Sequence, residues 1–141
     1  MPSYYLQERA GQSQQQTWDF KQFIPDALFI NLGTNDFAHG GGSWEADFTA
    51  TYIAFVLTAT ERWGKPSMPV FLGQGNMNNG ERLHDNLLAV GRAINASGGA
   101  AFYVDMRVGP TDGCNGHPGI LGNAAMAAAA QPVIASVMGW T

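Results

Sequence analysis

Two short polar segments carry the side chains whose types and spacing could do chemistry. The first, Leu28-Phe-Ile-Asn-Leu-Gly-Thr-Asn-Asp-Phe37, is an apolar run that ends in a turn and presents Asn35 beyond a strand. A carboxamide N–H fixed there can donate to an oxyanion as it develops during acyl transfer. The second, Thr111-Asp-Gly-Cys-Asn-Gly-His-Pro118, lies about eighty residues on and offers His117 just ahead of a helix. Its imidazole can take a proton from an attacking hydroxyl and return it to a leaving alcohol. Asp112 has two readings in that loop, an orienting carboxylate for His117 or a plain Asp-Gly turn residue. Asn35 also reads as an Asx-turn closing its strand, which is compatible with a donor role, and Asp36 reads as the structural member of the pair.

In order and spacing, Gly33-Thr-Asn-Asp36, Asp112 and His117-Pro118 resemble the Gly-x-Asn-Asp and Asp…His-Pro blocks of the SGNH (GDSL-type) hydrolase superfamily. Trp18-Asp-Phe20, Pro25-Asp26, the Asp-Gly-Cys run and Gly139-Trp140 give the likeness the flavour of the acetyl esterases of carbohydrate esterase family 2. It runs from about Trp18 to the end of the chain. The resemblance implies a three-layer α/β/α, flavodoxin-like fold with a parallel sheet. It also implies hydrolysis of an acetylated carbohydrate or another small ester through a serine, with no cofactor and no metal. His117, Asn35 and Asp112 are then the site residues, and the parent family is often secreted.

Two departures qualify that expectation. The family serine sits in a Gly-Asp-Ser block on the first strand, yet Ser3, Ser13, Ser43, Ser67, Ser97 and Ser136 lack that context. None has the Gly-x-Ser-x-Gly setting of a nucleophile elbow either. The family acid stands three residues before the histidine, where this chain has Cys114, while Asp112 stands five before. A main-chain carbonyl is the alternative orienter of His117. Residues 1–17 therefore read as a polar, glutamine-rich arm, and 18–141 as the C-terminal portion of an esterase domain whose N-terminal strands are missing. Alone, such a portion is expected to be inactive. A rival reading is a degenerate, non-catalytic module that binds carbohydrate or protein, and a weaker one takes the hydroxyl from Ser43.

The elements must bring these segments together. Apolar runs predict strands at 27–32, 68–72 and 101–106. Helical periodicity predicts helices at 44–63, 81–96 and 119–137, the last bent at Pro132. Ser43 reads as the N-cap of the first helix and Gly98-Gly99 as the stop of the second. Alternation of strand and helix implies parallel strands with right-handed crossovers, and functional loops gather at their carboxyl ends. Gly73 to Gly80 is expected to be a loop. Leu28 to Leu32 lacks the lysines, prolines and bulges that protect an edge, so self-association or a complementing N-terminal half is expected.

At 141 residues the chain suits one domain. A net charge of −4 gives no basic surface for phosphate backbones, so nucleic acid is not an expected partner. No apolar run is expected to reach the eighteen or so residues of a membrane span, and Met1 to Arg9 lacks a signal-peptide layout. The single cysteine, Cys114, excludes an internal disulfide and a cysteine-based zinc cluster. It reads as a small buried loop residue, or as the partner of an upstream cysteine. His39 and His84 read as exposed groups, and a metal site from His39, His84 and Asp36 has no ligand spacing to recommend it. Trp44 and Trp63 read as core aromatics at helix ends, and Gly73-Gln-Gly75 lacks the lysine-serine pair of a phosphate loop.

Overall fold

The computed structural model describes residues 5–7, 17–38, 45–77 and 80–140. Three strands form one parallel sheet in the order β1 (Leu28–Ile30), β2 (Pro69–Gly75), β3 (Ala100–Met106). Four helices join and follow them: α1 (Thr34–Phe37), α2 (Glu45–Arg62), α3 (Glu81–Ala96) and α4 (Ile120–Met138). A short 3-10 turn, Cys114–Gly116, interrupts the loop between β3 and α4. The expected α/β class with a parallel sheet is what the chain adopts.

Alternation along β2 explains the layers. Val70 and Leu72 point into a core shared with Tyr52 and Val56 of α2 and Leu83, Leu87, Val90 and Ile94 of α3. Phe71, one residue out of phase, joins Val104, Met106 and Ala130 on the α4 side. Val56, Leu72, Leu87 and Val90 have no exposed surface, and each such side chain contributes about 1.5–3 kcal/mol on burial. The sheet thus has helices on both faces, which fixes all three carboxyl strand ends along one edge.

Several boundaries differ from those expected. β1 is only Leu28–Ile30, because Asn31 and Leu32 leave the ladder. β2 extends to Gly75, so Gly73, Gln74 and Gly75 belong to the strand and pair with Val104, Asp105 and Met106. Gln74 is buried there, its Nε2 donating to the Gly80 carbonyl (3.0 Å) and its Oε1 accepting from the Tyr103 hydroxyl (2.8 Å). A buried amide with both ends satisfied costs little, which is why a polar residue extends an apolar strand. α4 runs through Pro132 from Ile120 to Met138. Residues 39–44, including Ser43, His39 and Trp44, lie outside the described residues.

Part of the N-terminal arm is packed. The ring of Tyr5 meets Phe55 edge-on at 4.9 Å and also contacts Phe20 and Trp63. Gln7 forms an antiparallel bridge with Thr17, and the Trp18 N–H donates to the Leu6 carbonyl. These contacts lie beside α2. Among the described residues no strand pairs with the outer side of β1.

The face of the sheet beneath α4 keeps apolar surface. Phe29 is 40% exposed, and with Met106, Ala130, Ile134 and Trp140 it lines an open groove of about 510 Å³ between the sheet and α4. Ile120 and Leu121 are also exposed at the start of α4. The expectation about apolar runs needs correction: Cys114–Met138 is long and apolar enough, by length and composition, to cross a membrane. Its alanines raise hydropathy without bulk, and one face of α4 packs on Phe71, Phe102 and Val104 of the sheet.

Candidate active site

β1 delivers Asn35 through a sharp turn. Gly33 sits at φ 111°, so the position needs glycine for its conformation, and a Cβ there would press on Leu83 Cδ1 at 2.6 Å. The Gly33 carbonyl accepts from the Phe37 N–H, and buried Phe37 anchors α1 edge-on against Phe48. Asn35 is left exposed on this single turn, and among the described residues no side-chain hydrogen bond engages it. Its carboxamide is thus not occupied by an Asx-turn there.

β3 delivers His117 through a loop stapled to itself. The Gly113 N–H donates to the His117 carbonyl (2.7 Å), and the His117 N–H donates back to the Cys114 carbonyl (3.2 Å). Asn115, at φ 54°, makes the tight left-handed turn that asparagine tolerates. His117 Nδ1 lies 3.0 Å from the Cys114 carbonyl oxygen. A carbonyl only accepts, so Nδ1 carries the proton and Nε2 keeps its lone pair. That tautomer is the one a general base needs.

Asp112 is engaged elsewhere. Its Oδ1 accepts from the Gly119 N–H at 2.9 Å, tying the loop to the first turn of α4, where Asn123 Nδ2 also caps the Pro118 and Gly119 carbonyls. Of the two orienters open from the sequence, the main-chain carbonyl is the one in contact with the ring. Cys114 is exposed rather than buried, and the part it plays here is through its backbone oxygen.

Because β1, β2 and β3 are parallel, the turn that carries Asn35 and the loop that carries His117 both leave the sheet at its carboxyl edge, on either side of β2. His39 lies outside the described residues, so the triad of His39, His84 and Asp36 is not formed among them. His84 is half-buried rather than exposed, edge-on to Tyr103 at 5.1 Å. With Glu81 and Asp85 it brings ligating atoms within 4.8 Å of one another, but Arg107 already holds Glu81 at 2.8 Å. Arg107 also forks onto Asp105 through Nε and Nη2, and this hydrogen bonding holds the Asp105 carboxyl below the usual range. Burial, with Asp105 adding to it, pushes the Tyr103 hydroxyl up to about 12. These groups are structural ties beside the edge, and no residue pattern in the sequence announced them.

With this geometry in place, comparison with known proteins is informative. No protein-family model matches the chain. It is 27% identical over 141 residues to an acetylxylan esterase / glucomannan deacetylase of Cellvibrio japonicus, covering 99% of this chain and 38% of that protein. The chain resembles the family-two carbohydrate esterases over this part. A solved family-two carbohydrate esterase from Cellvibrio japonicus superposes with a TM-score of 0.82 at 23% identity, over 99% of this chain and 41% of that one. One from Clostridium thermocellum, in complex with cellohexaose, gives 0.75 at 24% identity, over 92% and 41%. The chain therefore spans well under half the length of the carbohydrate esterases it matches. The α/β fold agrees with theirs over that part.

Proposed function

We propose that this chain is the C-terminal portion of a family-two carbohydrate acetyl esterase domain, supplying the general base and one oxyanion donor to a serine carried elsewhere. The observation that carries the reading is the contact of His117 Nδ1 with the Cys114 carbonyl, on the edge that also holds Asn35. His117 Nε2 takes the proton of the serine hydroxyl as its oxygen bonds to the acetyl carbon. The carbonyl oxygen becomes an oxyanion and accepts from Asn35 Nδ2, a donation worth about 3 kcal/mol in comparable sites. Collapse breaks the ester bond, and the proton passes from Nε2 to the departing sugar oxygen. Water repeats the sequence, leaving acetate and the free serine.

The relative named as an acetylxylan esterase / glucomannan deacetylase supports an acetylated polysaccharide as substrate, and the complex with cellohexaose supports a carbohydrate ligand. Asp112 serves the loop through Gly119. The experiment is hydrolysis of p-nitrophenyl acetate by the purified chain. The expected rate is that of the buffer, since base and oxyanion donor without a positioned nucleophile leave only weak attack by water. Saturable turnover that Ser43→Ala abolishes would overturn the reading and put the nucleophile at Ser43.

A further inference from the structure

The end of the central strand holds a residue that no motif singled out. Asn76 follows directly after Gly75, between the positions that β1 gives to Asn35 and β3 gives to His117. Its Nδ2 donates to two carbonyls at once, Gly109 and Pro110, each at 3.2 Å. These are the residues at the root of the His117 loop. Two carbonyls facing one end of the carboxamide require that end to be the amide, because the reversed orientation would set three acceptors against one another. Oδ1 is buried without a hydrogen-bond partner, so the side chain is held by what its amide donates to.

The same root is shaped from the other side by α4. A Cβ on Gly122 would lie 2.1 Å from the Pro110 carbonyl oxygen and 2.9 Å from Pro118 Cβ. A Cβ on Gly109, at φ 80°, would lie 2.7 Å from Ala125 Cβ. The loop therefore leaves β3 pressed on the first turns of α4 and returns into the same helix at Gly119. Internal hydrogen bonds close the loop above this root, with the imidazole on the Cys114 carbonyl. Only Asn76, among the described residues, is shown tying its root by hydrogen bonds to the end of β2.

We infer that Asn76 is a positioning residue for His117: by clamping the Gly109 and Pro110 carbonyls, the latter in the space Gly122 leaves open, it holds the root on which the loop closes and so keeps the imidazole turned onto the Cys114 carbonyl. The inference rests on reading His117 as the base. It extends that reading to a residue that acts through the backbone of the loop.

The test is the tautomer of His117 in the intact chain, read by long-range proton–nitrogen correlation at a pH of about 8.5, where an ordinary histidine is neutral. Thermal unfolding is followed in parallel to establish that each variant folds. The expected result is a dominant Nδ1–H form in the unaltered chain and a fall in its share by about twofold or more in folded Asn76→Ala, the change that losing part of one hydrogen bond produces. Asn76→Asp, which keeps the shape but removes both donors at this pH, should act alike and serves if Asn76→Ala does not fold. An unchanged share in either folded variant would overturn the role of Asn76. Absence of the Nδ1–H form from the unaltered chain would instead remove the reading of His117 as an oriented base.

Discussion

The carbonyl oxygen of Cys114 lies 3.0 Å from Nδ1 of His117, and the two residues are closed into one turn by the return bond from the His117 N–H. Orientation of the imidazole is thus written into a backbone conformation. The Asp112 carboxylate, five positions before the histidine in sequence, binds the Gly119 N–H instead.

Substitutions at Asp112 separate these roles. Asp112→Asn retains an acceptor for Gly119 and should change stability by no more than about 0.5 kcal/mol, the usual range at the surface. Asp112→Ala should cost about 0.5–1.5 kcal/mol through the lost hydrogen bond. Denaturant unfolding measures both. The His117 tautomer should survive Asp112→Asn; its loss would make the carboxylate the orienter after all.

Much of the fold was legible in the residues, and the site only in outline. The helix at 81–96 matched its forecast bounds, because Leu83, Leu87, Val90 and Ile94 recur on one face and Gly98-Gly99 stop it. The last three residues of β2 were not legible. Apolar patterning ends at Leu72, and what keeps Gln74 in the strand is a pair of hydrogen bonds to Gly80 and Tyr103, partners distant in pattern or in sequence. Asn35 and His117 could be placed on one edge from strand order alone, whereas the choice between Asp112 and a carbonyl depended on a 3-10 turn that spacing does not encode. Asn76 carried no signal, since its partners lie 33 and 34 residues away.

The pH dependence of stability should carry the mark of Asp105. Its folded carboxyl is held low, first by the hydrogen bond from Arg107, so the contribution is present above the ordinary aspartate value of about 3.9. It is lost as pH falls through the lowered folded value. The gap in Tm between the unaltered chain and Asp105→Asn should be widest near neutral pH and close on acidification below about 4. Because the Asp105 carboxylate is exposed, added salt should narrow it. A gap that grows toward acid would contradict this account.

The outer side of β1, with which no strand pairs among the described residues, and the groove formed by Phe29, Ile134 and Trp140 should make the isolated chain associate. Light scattering across a concentration series is expected to show mass rising with concentration, with binding of an apolar dye. A concentration-independent monomer that binds no dye and unfolds cooperatively would show that the N-terminal arm covers the edge.

The central claim is that His117 and Asn35 complete a serine site. Its most direct measurement is acetyl-ester hydrolysis by this chain joined in frame behind an N-terminal segment that carries a Gly-Asp-Ser block. The account predicts saturable turnover in the joined protein, a loss of about 10⁴-fold or more with His117→Ala, and a loss of about 10²–10³-fold in kcat with Asn35→Ala. Turnover that persists unchanged after His117→Ala would contradict it.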